Sequence, residues 1–291
     1  MINFHFGIEV SKHRGTWIGV CQCNLVLAIT AILIGAGACK TAMYVRESGK
    51  KIKQFPIEGI SRVSIDRLGD FYLISTKGVI RKYDTDGNFK AEYVTPENSA
   101  ITLFEPWNPL RVFVYNRDKQ QVVLLDRFLA GLSVIDLHPS LAVEPFLASP
   151  MPNNNFWLFD KADNSIKKIE SSGASVMEEL NLKLEPGDQP DFTFLREYQN
   201  QLFLIDRKAG IRIFSVLAQP IRTLPVKDLN FLGFLGEEVY FLDKGKIKLY
   251  DLYTEDQREI QVDPQALFVM LTDERMIIVK ASVVEVWEYK P

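Results

Sequence analysis

A strand–turn–strand pattern recurs six times after residue 50, and this repeat limits the fold more than any other feature of the sequence. The two best copies, residues 71–84 and 239–251, share the motif Lys-Gly-x-Ile-x-x-Tyr-Asp. In both copies the second strand alternates apolar and polar side chains, as a half-buried β-strand does. The four weaker copies are 112–125, 156–169, 202–214 and 276–287. Repeated strand pairs with no helical periodicity predict an all-β fold.

The spacing of the copies predicts a β-propeller. Measured at the residue that ends the first strand of each pair, successive copies are 40, 44, 46, 37 and 37 residues apart. That length suits one four-stranded blade per repeat, with an apolar innermost strand before each pair and, in the first five copies, a more polar outer strand after it. The six marker residues are Thr76, Asn116, Asp160, Asp206, Asp243 and Lys280. We therefore predict a single six-bladed β-propeller of four-stranded blades.

The two ends of the repeat array predict how the ring closes. Copy six has no outer strand before Pro291, whereas residues 51–57 have the pattern of a strand with no blade of its own. We expect 51–57 to pair beside 283–289, so that an N-terminal strand completes the last blade. Closure of this kind removes exposed sheet edges, which otherwise promote aggregation.

The first 39 residues have the pattern of a targeting or anchoring segment. The apolar run 25–38 fits a signal-peptide core of about 7–15 residues better than a membrane span of about 20. Small residues directly precede Cys39; this resembles the bacterial lipobox and implies acylation of Cys39. The alternative is an uncleaved helix from Trp17 to about Ala38. Positive residues after the run argue against export of the body, but the short run and Cys39 favour a lipoprotein.

The first copy carries a family resemblance. Residues 66–73 are Asp-Arg-Leu-Gly-Asp-Phe-Tyr-Leu and residues 79–87 are Val-Ile-Arg-Lys-Tyr-Asp-Thr-Asp-Gly, which resembles an NHL-type repeat. Together with Cys39, the chain resembles the six-bladed propeller lipoproteins of Bacteroidota. The resemblance implies a six-bladed propeller fold and a location in the cell envelope, and it implies no particular activity. We predict three segments. Residues 1–39 form a signal peptide or membrane anchor, residues 40–50 a tether, and residues 51–291 the propeller.

The residue content of the body disfavours several kinds of chemistry. Residues 40–291 contain no cysteine and a single histidine, His138, which precedes a proline in a predicted surface loop. Disulfides, thiolate nucleophiles and Cys-based zinc sites are therefore excluded there. A Gly-x-Ser-x-Gly elbow, a phosphate-binding glycine loop and a His-Glu-x-x-His helix are also absent. The formal net charge of −3 gives no general attraction to nucleic acid. We predict no catalytic residue, no metal and no cofactor.

The candidate interaction residues lie in two loops. Trp107 stands in a Pro-flanked loop, where it either anchors a partner or fills the gap between blades. Glu185, Asp188 and Asp191 belong to the longest polar connector, which is either a lid over the channel or an ordinary link between blades. Three marker aspartates look like a ring of cation ligands, but we expect each to accept hydrogen bonds from its own turn. These three are Asp160, Asp206 and Asp243.

These observations favour a non-enzymatic, membrane-tethered propeller that acts as a protein-interaction or ligand-binding platform. The expected location is the bacterial cell envelope, with the body in the periplasm and a protein as partner. The alternative is a propeller hydrolase or lyase for a lactone or sugar, with a metal or carboxylate site at the central channel. Converging carboxylates or amides at the channel mouth would favour the enzyme.

Overall fold

The computed structural model describes residues 49–96 and 99–290. Within these ranges the chain forms 24 strands, which pair into six four-stranded antiparallel sheets. Cys39, the apolar run 25–38 and most of the predicted tether lie outside the described residues. Among the residues that are described, no helix has the length and apolar character needed to cross a bilayer.

Each sheet is one blade, and we name its strands A to D from the innermost outward. Blades one to three consist, in this order, of β2 (Ile60–Ile65), β3 (Phe71–Ser75), β4 (Val79–Tyr83) and β5 (Phe89–Val94); β6 (Leu103–Glu105), β7 (Val112–Asn116), β8 (Gln121–Leu125) and β9 (Gly131–Asp136); and β10 (Pro145–Pro150), β11 (Phe156–Asp160), β12 (Ser165–Ile169) and β13 (Val176–Asn181). Blades four to six consist of β14 (Phe192–Tyr198), β15 (Gln201–Asp206), β16 (Gly210–Ser215) and β17 (Pro220–Leu224); β18 (Leu232–Leu235), β19 (Glu238–Asp243), β20 (Lys246–Asp251) and β21 (Gln257–Gln261); and β22 (Phe268–Leu271), β23 (Arg275–Val279), β24 (Val283–Glu288) and β1 (Lys51–Pro56).

The predicted all-β fold of six four-stranded blades is confirmed. All six predicted strand pairs are the B and C strands of a blade, and every marker residue lies at the turn between them. Because successive strands are antiparallel, the A–B and C–D loops lie on one side of the disc, which we call the AB face. The B–C turns and the connectors to the next blade lie on the other side, the BC face.

The hydrophobic core lies between neighbouring blades. Strands β7 and β11 are buried along their whole length, because a B strand has another blade on each side. The outer strand β5 is mostly exposed. Apolar clusters join each blade to the next, including blade six to blade one, where Phe71 packs with Met270 and Val284. Burial of these side chains is the main stabilising contribution to the ring.

The first described strand belongs to the last blade. Strand β1 runs antiparallel to β24, with Lys51 opposite Trp287 and Pro56 opposite Val283. The innermost strands β2 and β22 are also in contact, so blade one and blade six are neighbours. Since β24 ends on the AB face, β1 starts on that face and leads the chain to the BC face, where β2 begins.

One glycine permits a close contact between blades five and six. Gly233 lies in β18 opposite Tyr240 of β19, and a Cβ atom at position 233 would lie 2.2 Å from the Tyr240 ring. The buried Tyr240 hydroxyl accepts a hydrogen bond from the Leu271 backbone N–H at 2.9 Å. Glycine is therefore required here so that the tyrosine can cross its own blade and reach the next.

Candidate functional site

A cavity of about 410 Å³ opens on the AB face. It lies between blades two and three and extends to the A–B loop of blade four. Its floor consists of apolar side chains from the facing sheets, namely Phe113, Leu124, Ile135 and Phe156. The wall nearest the channel axis and the rim are charged, aromatic and amide-bearing, so the cavity has an apolar interior and a polar entrance.

The wall is built on a buried ion pair. Arg196 Nε lies 3.3 Å from Glu105 Oε2, and the two side chains are 7% and 4% exposed. Glu105 ends β6 and Arg196 lies in β14, so the pair links blades two and four, which are not neighbours in the ring. The other Glu105 oxygen accepts the Trp107 backbone N–H at 2.9 Å. Burial raises the pKa of Glu105, and the Arg196 charge and this hydrogen bond oppose that rise.

Aromatic rings surround the Arg196 guanidinium group. Its carbon lies 5.0 Å from the ring centroid of Trp107, 4.8 Å from that of Phe234 and 5.8 Å from that of Tyr198. Tyr198 also stacks on Phe234 at 4.2 Å and meets Trp107 edge-on at 6.0 Å. Cation–π contacts of this kind attract the charge and fix the plane of the guanidinium group.

Trp107 therefore lies at the entrance of the cavity, where its ring contacts Arg196 and Tyr198. Its side chain is 38% exposed, and it lines both this cavity and a second one of about 320 Å³ on the same face. The second cavity is bounded by blades one, five and six and includes Asp273 and Glu274. The structure thus places the predicted Trp107 on an accessible surface between two concave regions.

Three arginines line the larger cavity, and only Arg196 has a carboxylate partner among the described residues. Within the described ranges, neither Arg67 nor Arg111 forms an ion pair, and burial lowers the pKa of Arg111. Arg196 Nη2 is buried and has no hydrogen-bond partner among the described residues. The carboxylate of Glu197, which also lines the cavity, accepts the Trp157 indole N–H at 2.7 Å.

The predicted connector 185–191 lies on the opposite face. Asp188 accepts hydrogen bonds from the Arg212 guanidinium group, one of them at 3.0 Å, and Arg212 also contacts Asp206 at 2.7 Å. Asp191 lies 3.4 Å from Arg207, and Glu185 is exposed. The connector is therefore attached to its own blade, and the structure does not bring its residues together with Trp107.

The BC turns use their aspartates as local hydrogen-bond acceptors. Asp160 accepts the backbone N–H groups of Val143, Glu144 and Ala162, and it pairs with Lys167 at 3.0 Å. Burial opposes ionisation of Asp160, but these donors outweigh it and lower the pKa.

The other two marker aspartates are also engaged. Asp206 accepts the N–H groups of Asp191 and Lys208, and Asp243 contacts Lys248 at 2.6 Å. The expected turn hydrogen bond is thus present for Asp160 and Asp206, whereas Asp243 contacts a lysine.

The structure also bears on the predictions about histidine and metal. His138 is exposed in the loop after β9, and its Nδ1 lies 2.7 Å from the Ser140 hydroxyl, as expected of a surface histidine. Across 49–96 and 99–290, no group of three or more His, Cys, Asp or Glu side chains is placed to hold a metal ion.

Sequence reasoning missed most of the wall of the cavity. Glu105, Arg196 and Tyr198 were not candidates, and only Trp107 was. A weak signal was present, because Glu105 and Arg196 are charged residues that directly follow apolar residues of innermost strands. A charge at such a position must be paired if it is buried, but the sequence does not show which blade supplies the partner.

The comparisons with known proteins agree with the fold. No family model and no curated protein matches the sequence. The WD40 domain of Pan2 from Neurospora crassa superposes with a TM-score of 0.57 at 10% identity, over 84% of this chain and 97% of that one. A catalytically inactive virginiamycin B lyase from Staphylococcus aureus, with quinupristin, gives 0.51 at 14% identity, over 81% and 83%. At such low identity these similarities show the propeller fold alone. The class of protein that the fold defines is thus a six-bladed β-propeller.

Proposed function

We propose that this protein is a membrane-tethered, non-enzymatic propeller that binds a protein partner at the AB face in the bacterial cell envelope. The observation that carries the proposal is the partly exposed Trp107, held by Arg196 and Tyr198 at the entrance of a cavity. Tryptophan, tyrosine and arginine dominate binding energy at protein interfaces, and they do so best beside a pocket.

The rigidity of this cluster supports a binding role. The Trp107 backbone is hydrogen-bonded to Glu105, and the Tyr198 hydroxyl donates to the Gly236 carbonyl at 2.6 Å. Side chains that are already ordered lose little conformational entropy when a partner binds. The exposed part of Trp107 is therefore a preorganised contact surface.

The test is partner capture from native membranes with matched variants. After cross-linking, Trp107→Ala is expected to lose the co-purifying protein that the unchanged chain retains. Arg207→Gln, an exposed change on the BC face, is the control and is expected to retain that protein. If Arg207→Gln loses the co-purifying protein and Trp107→Ala retains it, the interaction surface lies on the BC face and the proposal is wrong.

We also propose that acylated Cys39 is the membrane anchor and that the body lies in the periplasm. The apolar run 25–38 and the small residues before Cys39 support this proposal. Intact-mass measurement of the membrane-extracted protein is expected to give a chain that begins at Cys39 and carries added acyl mass. A mass that includes residues 1–38, or normal maturation of Cys39→Ala, would contradict it and favour an uncleaved helix.

We further propose that ring closure by the N-terminal strand holds the propeller together. The antiparallel register of β1 against β24 supports this role, as does the packing of Ile52 and Phe55 against the cluster shared by blades one and six. Without β1, β24 becomes an open sheet edge.

A second candidate function is an enzyme that uses the same cavity. The observation that favours it is the presence of Glu105 and Glu197 together with three arginines around one concave site. The purified body would be screened against lactone, ester and glycoside substrates with added calcium or zinc. Turnover that Glu197→Gln abolishes would support the enzyme over the platform.

A further inference from the structure

We propose that the cavity between blades two and three binds the C-terminal residue of a partner polypeptide. The apolar side chain of that residue contacts the cavity floor, and its terminal carboxylate contacts Arg67 and Arg111. The inference rests on the proposed function, since it names the part of the partner that the AB face recognises.

The charge balance of the cavity selects an anion. Arg67 and Arg111 form no ion pair within the described ranges. Arg196 is already paired with Glu105 and its Nη2 is buried, so a ligand in the cavity contacts Arg67 and Arg111 instead. A carboxylate supplies two acceptor oxygens in the geometry that a guanidinium group recognises.

The carboxylates already present do not meet this need. Glu105 is occupied by Arg196 and by the Trp107 backbone N–H. Glu197 is occupied by the Trp157 indole. A ligand carboxylate is therefore the counter-ion that we expect for Arg67 and Arg111.

The floor of the cavity selects an apolar group beside that carboxylate. Phe113, Leu124, Ile135 and Phe156 converge there from blades two and three, and no charged side chain interrupts them. A volume of about 410 Å³ lies toward the lower end of the roughly 300–1,000 Å³ typical of small-molecule pockets. That size fits one large apolar residue with its carboxylate and excludes a long acyl chain lying flat.

The rim favours a polypeptide over a free acid. The exposed amide side chains of Asn108, Asn154 and Asn200 surround the entrance. An amide both donates and accepts hydrogen bonds, which matches the alternating N–H and C=O groups of an extended peptide. The exposed ring of Trp107 offers a further contact for the residues that precede the terminus.

The test is a binding titration of the full-length protein by calorimetry with three probes. The probes are N-acetyl-Gly-Gly-Phe with a free carboxylate, the same peptide as its C-terminal amide, and 3-phenylpropionate. We expect the peptide acid to bind at least tenfold more tightly than the amide. We also expect it to bind at least tenfold more tightly than 3-phenylpropionate, which lacks the backbone groups.

Matched variants separate the carboxylate contact from folding. The double variant Arg67→Gln/Arg111→Gln is expected to bind acid and amide equally, with an unchanged melting temperature because both side chains reach the surface. Arg207→Gln on the BC face is the control and is expected to keep the preference for the acid.

Two results would overturn the inference. Equal affinity of the unchanged protein for the peptide acid and the peptide amide would show that the arginines do not contact the carboxylate. A 3-phenylpropionate affinity equal to that of the peptide acid would assign the cavity to a small acid. Either result, combined with partner capture that still depends on Trp107, would leave the proposed function intact. If the peptide acid is still preferred but partner capture does not depend on Trp107, the proposed function is contradicted and the inference about the cavity stands.

Discussion

Replacing Glu105 by glutamine tests the structural role of the buried ion pair. Glutamine keeps the shape of the side chain and the acceptor for the Trp107 N–H, but it leaves Arg196 as a buried charge without a counterion. Removing one partner of a buried pair costs about 3–5 kcal/mol. Three aromatic rings still face the guanidinium group and retain part of its stabilisation. We therefore expect the lower end of that range, about 3 kcal/mol.

The measurement is urea unfolding followed by tryptophan fluorescence, with an unchanged slope against denaturant. In a domain of this length, about 3 kcal/mol corresponds to a drop in melting temperature of roughly 6–12 °C. The control is Glu92→Gln, because Glu92 and Arg81 form an exposed ion pair with side chains 39% and 40% exposed. Exposed pairs are worth about 0–1 kcal/mol, so the control is expected to change little.

A double variant completes the reasoning. Arg196→Met/Glu105→Gln removes both charges and is expected to recover at least half of the loss, since neither partner is then buried alone. If Glu105→Gln is no more destabilising than Glu92→Gln, the pair is not desolvated as its burial implies. If the double variant loses as much stability as the two single variants lose together, the charges are not coupled.

Three further perturbations test other parts of the ring. Asp160→Asn is expected to destabilise the protein at pH 7, and the difference should shrink as the pH falls below about 4. The pKa of Asp160 is lowered from its ordinary value of 3.8, so its contribution is present above that value and is lost as the pH falls through the folded-state pKa; thermal melts of both proteins across pH give the check. Deletion of 51–57 is expected to lower the melting temperature and cause aggregation, whereas deletion of 40–48 should change neither, and equal melting curves for the two deletions would refute closure by β1. Gly233→Ala is expected to cost about 1–3 kcal/mol because the new methyl group overlaps the Tyr240 ring; calorimetry of the purified variant measures this cost, and an unchanged melting temperature would show that the ring moves freely.

The fold was predictable because its information is local. Strand pairs at a regular spacing define the blades, and the polar residues at 116, 160 and 206 mark turns that their own side chains stabilise. Local alternation also gives which face of each strand is buried. None of these inferences requires knowledge of how distant blades face one another.

The site was predictable only in part because its contacts are distant. Trp107 stood out through its Pro-flanked loop, but Arg196 and Tyr198, which hold it, come from another blade. Glu105 was missed because a charged residue contradicts the apolar pattern that is expected of an innermost strand. Its burial depends on Arg196, and such a pairing is not encoded in the periodicity of either strand.

The position where the chain enters the disc has a consequence for how a partner arrives. Since β1 starts on the AB face, the described part of the chain enters the disc on the face that bears the Trp107 cavity. The tether, residues 40–50, spans at most roughly 40 Å when fully extended at about 3.6 Å per residue. If Cys39 is acylated as proposed, the start of β1 would lie within that distance of the bilayer, and a partner would have to reach the AB face in the layer next to the lipid. Access of a partner to the cavity would then depend on the length of the tether, and a longer tether would admit bulkier partners.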